Sequence, residues 1–303
     1  MSLPQFERTH VSAYDGTRLE MQTFGDGDLT LLIANGLGGT LLAWAPLLRA
    51  LEHEVRFVSW DYRGLYGSGK PASPALDVET HVRDMRVVMD ASGTDRCVVA
   101  GWSMGVQVCV QAAIDLSHRI DGLVLINGTY GRAFDTAFDL PVVGGAVSRA
   151  LPWINLSAAA AGPLLNPLIG GATRLSAFPR VLEAVGLVDE NLDKEVFVAI
   201  AKGFEKLDFR VYHRIMDQLQ KHDGEPLLSR ITQPTLFIAG QRDRMTPASI
   251  RHVFEREMPN VESFIVPRGT HYSLIEYPEQ VVDRIREYLS THHAAQFPAA
   301  AND

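Results

Sequence analysis

What this chain has little of narrows the field first. Only two cysteines occur in 303 residues, Cys97 and Cys109. Both lie in apolar segments, so they read as small core residues rather than as a disulfide framework or a reactive thiol. Cationic excess is absent: 28 Lys and Arg face 36 Asp and Glu, a formal charge of −8. With no basic stripe along any predicted helix, a nucleic-acid surface is not expected. No H-E-x-x-H spacing is present to bind a metal, and no internal repeat is visible. The opening MSLPQFERTH lacks the basic-then-apolar pattern of a signal peptide, so a cytoplasmic location is expected. Charge is missing altogether from Ala150 to Thr173, a stretch long enough to span a bilayer. Pro152, Pro163, Pro167, Asn155 and Asn166 interrupt it, however, and argue for an apolar lid instead of a stable span.

What is present is an alternation of strands and helices. Phe6–Ser12 and Leu19–Phe24 read as a hairpin around Asp15-Gly16. Leu29–Ala34 is apolar but for Thr30, as expected of a strand covered on both faces. A helix is expected over Leu41–Leu51, a strand over Arg56–Trp60 and a helix over Val78–Ala91. The strands Cys97–Ala100 and Gly122–Ile126 flank a helix over Val106–Leu116. This order predicts an α/β fold with a parallel sheet and right-handed crossovers. The alternation stops between residues 128 and 229, where helices and loops are expected. It resumes with strand Thr235–Ala239, helix Ala248–Met258, strand Val261–Val266 and helix Pro278–Ser290. The predicted division is therefore a core of residues 1–127 and 230–290, a helical cap over 128–229, and a frayed tail over 291–303.

The organising stretch is Gly101-Trp102-Ser103-Met104-Gly105, set between a strand and a helix. G-x-S-x-G in that setting places a serine on a sharp turn with its hydroxyl exposed. A serine hydroxyl attacks a carbonyl only when a base removes its proton and a third group orients that base. The later strands supply both. Asp243 stands just past Thr235–Ala239, and His271 stands past Val261–Val266 behind a glycine-containing loop. Among the ten histidines only His271 has such a position. Asp223 and Glu276 are rival acids without the strand-end placement, and Asn127 is an amide that cannot carry the charge. The developing oxyanion needs two N–H donors, expected from Met104 and from Leu37 in the Asn35–Gly39 loop.

Taken together, Gly101–Gly105, Asp61-Tyr62-Arg63-Gly64, Gly240–Asp243 and Gly269-Thr270-His271 resemble the motifs of the α/β-hydrolase fold superfamily. The resemblance covers nearly the whole chain outside the tail. It implies an eight-stranded, mostly parallel sheet, a cap over the site, no cofactor, and hydrolysis through an acyl-enzyme. Asn35 departs from it, since many members have histidine there. Serine at the elbow separates the chain from the aspartate-bearing haloalkane dehalogenases and epoxide hydrolases.

Gly64-Leu65-Tyr66-Gly67-Ser68-Gly69-Lys70 also matches a phosphate loop. The next residue is Pro71, which offers no hydroxyl to Mg²⁺, and Pro74 prevents a helix from starting there. Substrate-pocket candidates are Trp44, Trp102 and, in the cap, Leu140, Val143 and Trp153. The expected activity is cleavage of carboxylic esters of small apolar molecules by a serine hydrolase. The same residues serve a C–C hydrolase, lactonase, thioesterase, peptidase or perhydrolase, because fold does not fix the bond cleaved.

Overall fold

The computed structural model describes residues 3–132, 178–184 and 186–297. The pocket candidates Leu140, Val143 and Trp153, and the uncharged run Ala150–Thr173, lie outside the described residues. Eight strands form one sheet: β1 (Glu7–Ser12), β2 (Arg18–Phe24), β3 (Leu29–Ala34), β4 (Val55–Trp60), β5 (Cys97–Trp102), β6 (Ile120–Ile126), β7 (Thr235–Gly240) and β8 (Val261–Val266). Their order is β1-β2-β4-β3-β5-β6-β7-β8. The pairs β1–β2 and β2–β4 are antiparallel and all others parallel, which gives the mostly parallel sheet expected.

Side-chain alternation along β5 shows how the layers form. Cys97 and Val99 face the core beneath α2 (Val78–Ala91) and α3 (Met104–Asp115), with Met85, Val88 and Val106. Val98, Ala100 and Trp102 face the opposite core, with Leu47 of α1 (Ala45–Ala50) and with Val281 and Ile285 of the last helix (Pro278–His292). Every residue of β5 is buried, so truncating Val99 there, or Leu32 beside it on β3, costs on the order of 2 kcal/mol in lost transfer energy and cavity.

Several element boundaries differ from expectation, those at Leu41 and at the C-terminus among them. The helix predicted over Leu41–Leu51 is a 3₁₀ turn at Leu41–Trp44 followed by α1. Pro46 sits in the first turn of α1, where its missing N–H is harmless, but it could not serve the interior of one longer helix. The tail expected from Thr291 is held further: the last helix runs to His292 and Phe297 is buried in the core.

Between β6 and β7 the described residues form helices: α4 (Phe178–Ala184), α5 (Lys194–Gly203), α6 (Phe209–Lys221) and the short α7 (Glu225–Leu228). Asp193 caps α5 by accepting from the Glu195 and Val196 amides, and Asp208 caps α6 by accepting from that of Arg210. α5 packs Val196, Phe197 and Ile200 on one core, whereas α6 packs Val211, Ile215 and Leu219 on the other. Where the chain leaves the sheet it meets its own return. Gly131 bridges Asp223, the Gly224 N–H donates to the Tyr130 carbonyl (3.0 Å), and Arg132 pairs with Asp223. The helices following β7 are α8 (Arg251–Glu257), α9 (Ser273–Glu276) and α10 (Pro278–His292).

Register sets the rest. Ala34 pairs with Gly101, Trp102 with Ile126, Ile126 with Ile238, and Gly240 with Val266. The loops starting at Asn35, Ser103, Asn127, Gln241 and Pro267 therefore leave the sheet along one edge, at the carboxyl ends of parallel strands. In open α/β sheets this edge is where ligands bind.

Candidate active site

Ser103 occupies the turn between β5 and α3 with φ 55° and ψ −115°. This region costs a non-glycine residue roughly 1–3 kcal/mol, so the surroundings must hold it there. They do so by close approach. A Cβ on Gly105 would lie 1.9 Å from the Ala34 carbonyl oxygen, and one on Gly101 would lie 2.5 Å from Gly105. The Ser103 N–H donates to the Ile126 carbonyl (3.0 Å), pinning the turn to the neighbouring strand.

The other two predicted residues meet. His271 Nδ1 lies 2.8 Å from Asp243 Oδ2, with both side chains buried. Asp243 is oriented in turn: its Oδ1 accepts from the Met245 and Thr246 amides (2.8 and 2.9 Å). The Thr246 hydroxyl donates to Oδ2 (2.7 Å). A carboxyl group held by three donors is fixed in place, and through the Nδ1 contact it fixes the orientation of the imidazole ring. Ser103 Oγ has no hydrogen bond among the described residues; catalytic contacts of this kind commonly tighten only with substrate.

The histidine loop is braced by residues that the sequence did not single out for this purpose. Asn127 Nδ2 faces the Thr270 carbonyl (2.9 Å), the His271 carbonyl (3.0 Å) and Ser273 Oγ (2.7 Å). Its Oδ1 accepts from the Gly240 N–H (2.8 Å), so one amide ties the ends of β6 and β7 to the histidine. Glu276 is buried and accepts from the Thr270 amide (2.8 Å), the Thr270 hydroxyl (2.6 Å) and the Asp189 amide (2.8 Å). Burial raises its pKa, while the bonds from Thr270 and Asp189 hold it down. Glu276 thus supports the loop instead of serving as an alternative acid. Asp223 belongs to the bridge at Gly131.

The Asn35–Gly39 loop stands opposite. A Cβ on Gly36 would lie 3.2 Å from Ser103 Cβ, so this loop passes directly beside the serine. The N–H groups of Leu37 and Met104 have no acceptor among the described residues. Asn35, the departure noted above, turns away from the site. Its Nδ2 donates to Ser59 Oγ (3.0 Å), its Oδ1 accepts from Trp44 Nε1 (3.1 Å), and its carbonyl accepts from the Tyr62 hydroxyl (2.8 Å). Trp44 is wholly buried by this arrangement and packs in the core behind the loop. The Tyr66 hydroxyl donates to the Gly38 carbonyl from the far side. Gly38 has φ 75°, and a Cβ there would strike Phe204 Cζ at 2.7 Å.

Aromatic side chains surround these groups. Trp102 and His271 have ring centroids 5.7 Å apart; Tyr272 lies 5.7 Å from Trp102 and 5.2 Å from Phe197. Phe204 and Tyr212 are 6.2 Å apart against the Gly38 loop. Phe197, Phe204, Tyr212 and Tyr272 escaped the sequence reading because nothing in their spacing announces which side of a helix faces a distant loop.

Most amides of the phosphate-loop lookalike are already engaged. Gly64 donates to the Gly69 carbonyl, Ser68 to that of Leu65, and Gly67 to the Asp61 carboxylate. The next helix begins only at Val78. Among the described residues no group of three or more His, Cys, Asp or Glu is placed to hold a metal ion, and no helix is long and apolar enough to cross a membrane.

Comparison with known proteins agrees with this architecture. Residues 30–278 match a family model described as alpha/beta hydrolase fold. A curated relative is the putative carbamate hydrolase RutD of Caulobacter sp. (strain K31), 28% identical over 268 residues, covering 86% of this chain and 90% of that one. The enol-lactonase from Burkholderia xenovorans LB400 superposes with a TM-score of 0.71 at 20% identity, covering 93% of this chain and all (100%) of that chain. A thermophilic esterase from Thermogutta terrifontis gives 0.70 at 21% identity, covering 95% and 99%.

Proposed function

The chain belongs to the alpha/beta hydrolase fold family, and on that premise we propose that it is a serine hydrolase cleaving carboxylic esters of apolar substrates through an acyl-enzyme. The observation that carries the reading is the buried 2.8 Å contact between Asp243 and His271, on the same sheet edge as the strained Ser103. In this reading His271 Nε2 takes the Ser103 proton as Oγ attacks the ester carbonyl. Asp243 stabilises the imidazolium, and the Leu37 and Met104 amides stabilise the tetrahedral oxyanion. The imidazolium then protonates the leaving alcohol, and water activated by the same imidazole releases the acid. Residues 128–229 serve as a cap over the site, and Trp102 lines the pocket with Phe197 and Phe204.

A lactone or a carbamate presents the same electrophilic carbonyl, and the names of the relatives keep that second reading open for the identical machinery. The test is fluorophosphonate labelling alongside hydrolysis of p-nitrophenyl esters, a lactone and a carbamate, by wild type and Ser103→Ala. Loss of labelling and ester turnover together in the variant supports the proposal. Full ester turnover by Ser103→Ala overturns it, and turnover of the lactone or carbamate alone moves the assignment to that bond.

A further inference from the structure

Two phenols beside the candidate active site have no hydrogen-bond partner among the described residues. Tyr212, on α6, places its Cε2 edge 3.0 Å from where a Gly38 Cβ would stand, hard against the loop that carries Leu37. Tyr272 follows His271 directly, and its ring lies 5.9 Å from the imidazole and 5.7 Å from the Trp102 indole. Both rings are half-buried among aromatic side chains: Tyr272 against Trp102 and Phe197, Tyr212 against Phe204 and Phe209. Neither hydroxyl has a hydrogen-bond partner among the described residues, and neither is sealed off from open space as the enclosed orphan atoms of His81 or Gln107 are. Tyr66, in the same neighbourhood, differs in being engaged by the Gly38 carbonyl.

This asymmetry has a chemical meaning. A hydroxyl that stays unpaired while an apolar ligand covers it loses its water and gains nothing, so a closed complex with a plain hydrocarbon chain is penalised. A ligand oxygen placed against it recovers the bond. Burial pushes both phenols up to about 12, so they remain protonated donors over the whole working range. A site made only to hold alkyl chains would have phenylalanine in both places.

Resting on the serine-hydrolase reading above, we propose that Tyr212 and Tyr272 form a donor pair that recognises a second oxygen acceptor on the substrate, apart from the scissile carbonyl. The favoured class is then an ester, lactone or related acyl compound whose otherwise apolar body carries an additional carbonyl, hydroxyl or ether oxygen. Tyr272 reaches it from the histidine side, Tyr212 from the side of the oxyanion loop.

Binding is measured by calorimetry in the Ser103→Ala protein, where no chemistry intervenes, with methyl pentanoate, methyl 3-oxopentanoate and methyl 4-oxopentanoate as probes. At least one keto ester is expected to bind about 3- to 10-fold more tightly than the plain ester, the range of one ordinary hydrogen bond. Tyr212→Phe and Tyr272→Phe should each shrink that ratio, and the double variant should abolish it. Equal binding of the three esters, no binding of any, or a ratio that survives both phenylalanines overturns the proposal. The ester comparison needs no tyrosine variant, so it decides even where a variant fails to fold. Failure of the serine-hydrolase reading shows separately, in wild-type labelling and turnover.

Discussion

The Trp102 indole N–H donates to the main-chain carbonyl of His271 at 2.9 Å, across 169 positions of sequence. The residue just before the candidate nucleophile thus holds the backbone of the candidate base. Trp102→Phe keeps most of the packing and removes this bond, leaving that carbonyl to Asn127 alone. Turnover should fall about 10-fold with little change in KM, since small displacements of an aligned base are costly to the chemical step. Steady-state kinetics on a p-nitrophenyl ester decides; a pure KM effect would assign Trp102 to substrate packing instead.

Asn127 stands at the carboxyl end of β6, and its surroundings demand an amide. Asn127→Asp would aim a carboxylate oxygen at the carbonyls of Thr270 and His271, both within 3.0 Å of the present nitrogen. We expect a stability loss of about 1–3 kcal/mol at pH 7, measured by urea denaturation. The deficit should shrink at pH 5, where protonation restores a donor. A variant as stable as wild type at pH 7 contradicts this account.

Arg63 is fully buried and grips Asp84, also fully buried, through Nε and Nη2 (2.8 and 2.6 Å), while Nη1 donates to Asp15 (2.7 Å). Arg63→Met strands the Asp84 charge and should cost about 3–5 kcal/mol. The double variant with Asp84→Asn should recover part of the loss, because the fully buried carboxylate is no longer left unpaired and only Asp15 lacks its cation. Equal denaturation midpoints for single and double variants would refute the pairing argument.

Stability should also respond to acid through His81. Its burial, reinforced by the positive charge of Arg63, pushes the imidazole from 6.5 down to about 3. Below pH 6.5 the unfolded chain binds a proton that the native chain refuses, so this contribution to stability is present above 6.5 and is lost as pH falls towards 3. The slope approaches roughly 1.4 kcal/mol per pH unit inside that window. His81→Phe should flatten it, read from urea midpoints at pH 7 and pH 5. Parallel losses in wild type and variant would show that other groups set the acid response.

How far the sequence led depends on the range of the interactions involved. The inner strands were legible because burial on both faces writes largely apolar runs such as Leu31–Ala34, and Ser103, Asp243 and His271 stand out as candidates because each lies within five residues of a strand's carboxyl end. Trp44 was read as a pocket candidate on hydrophobicity alone; its enclosure behind Asn35 depends on a hydrogen bond that no local pattern encodes. The bracing role of Asn127 was hidden for the same reason, since its partners lie 113 to 146 positions away. Tyr212 and Tyr272 could have been suspected only from their neighbours, one on an amphipathic helix and the other adjoining His271.

The bridge between Gly131 and Asp223 marks where the described chain leaves the sheet after β6 and returns to it before β7. The excursion still reaches back to the sheet edge: the Asp189 amide bonds Glu276, the Leu187 carbonyl takes the Thr270 hydroxyl, and the Phe197 ring meets Tyr272. A different excursion grafted onto the same stitch would have to restore those three contacts before the loop carrying His271 stood as it does now.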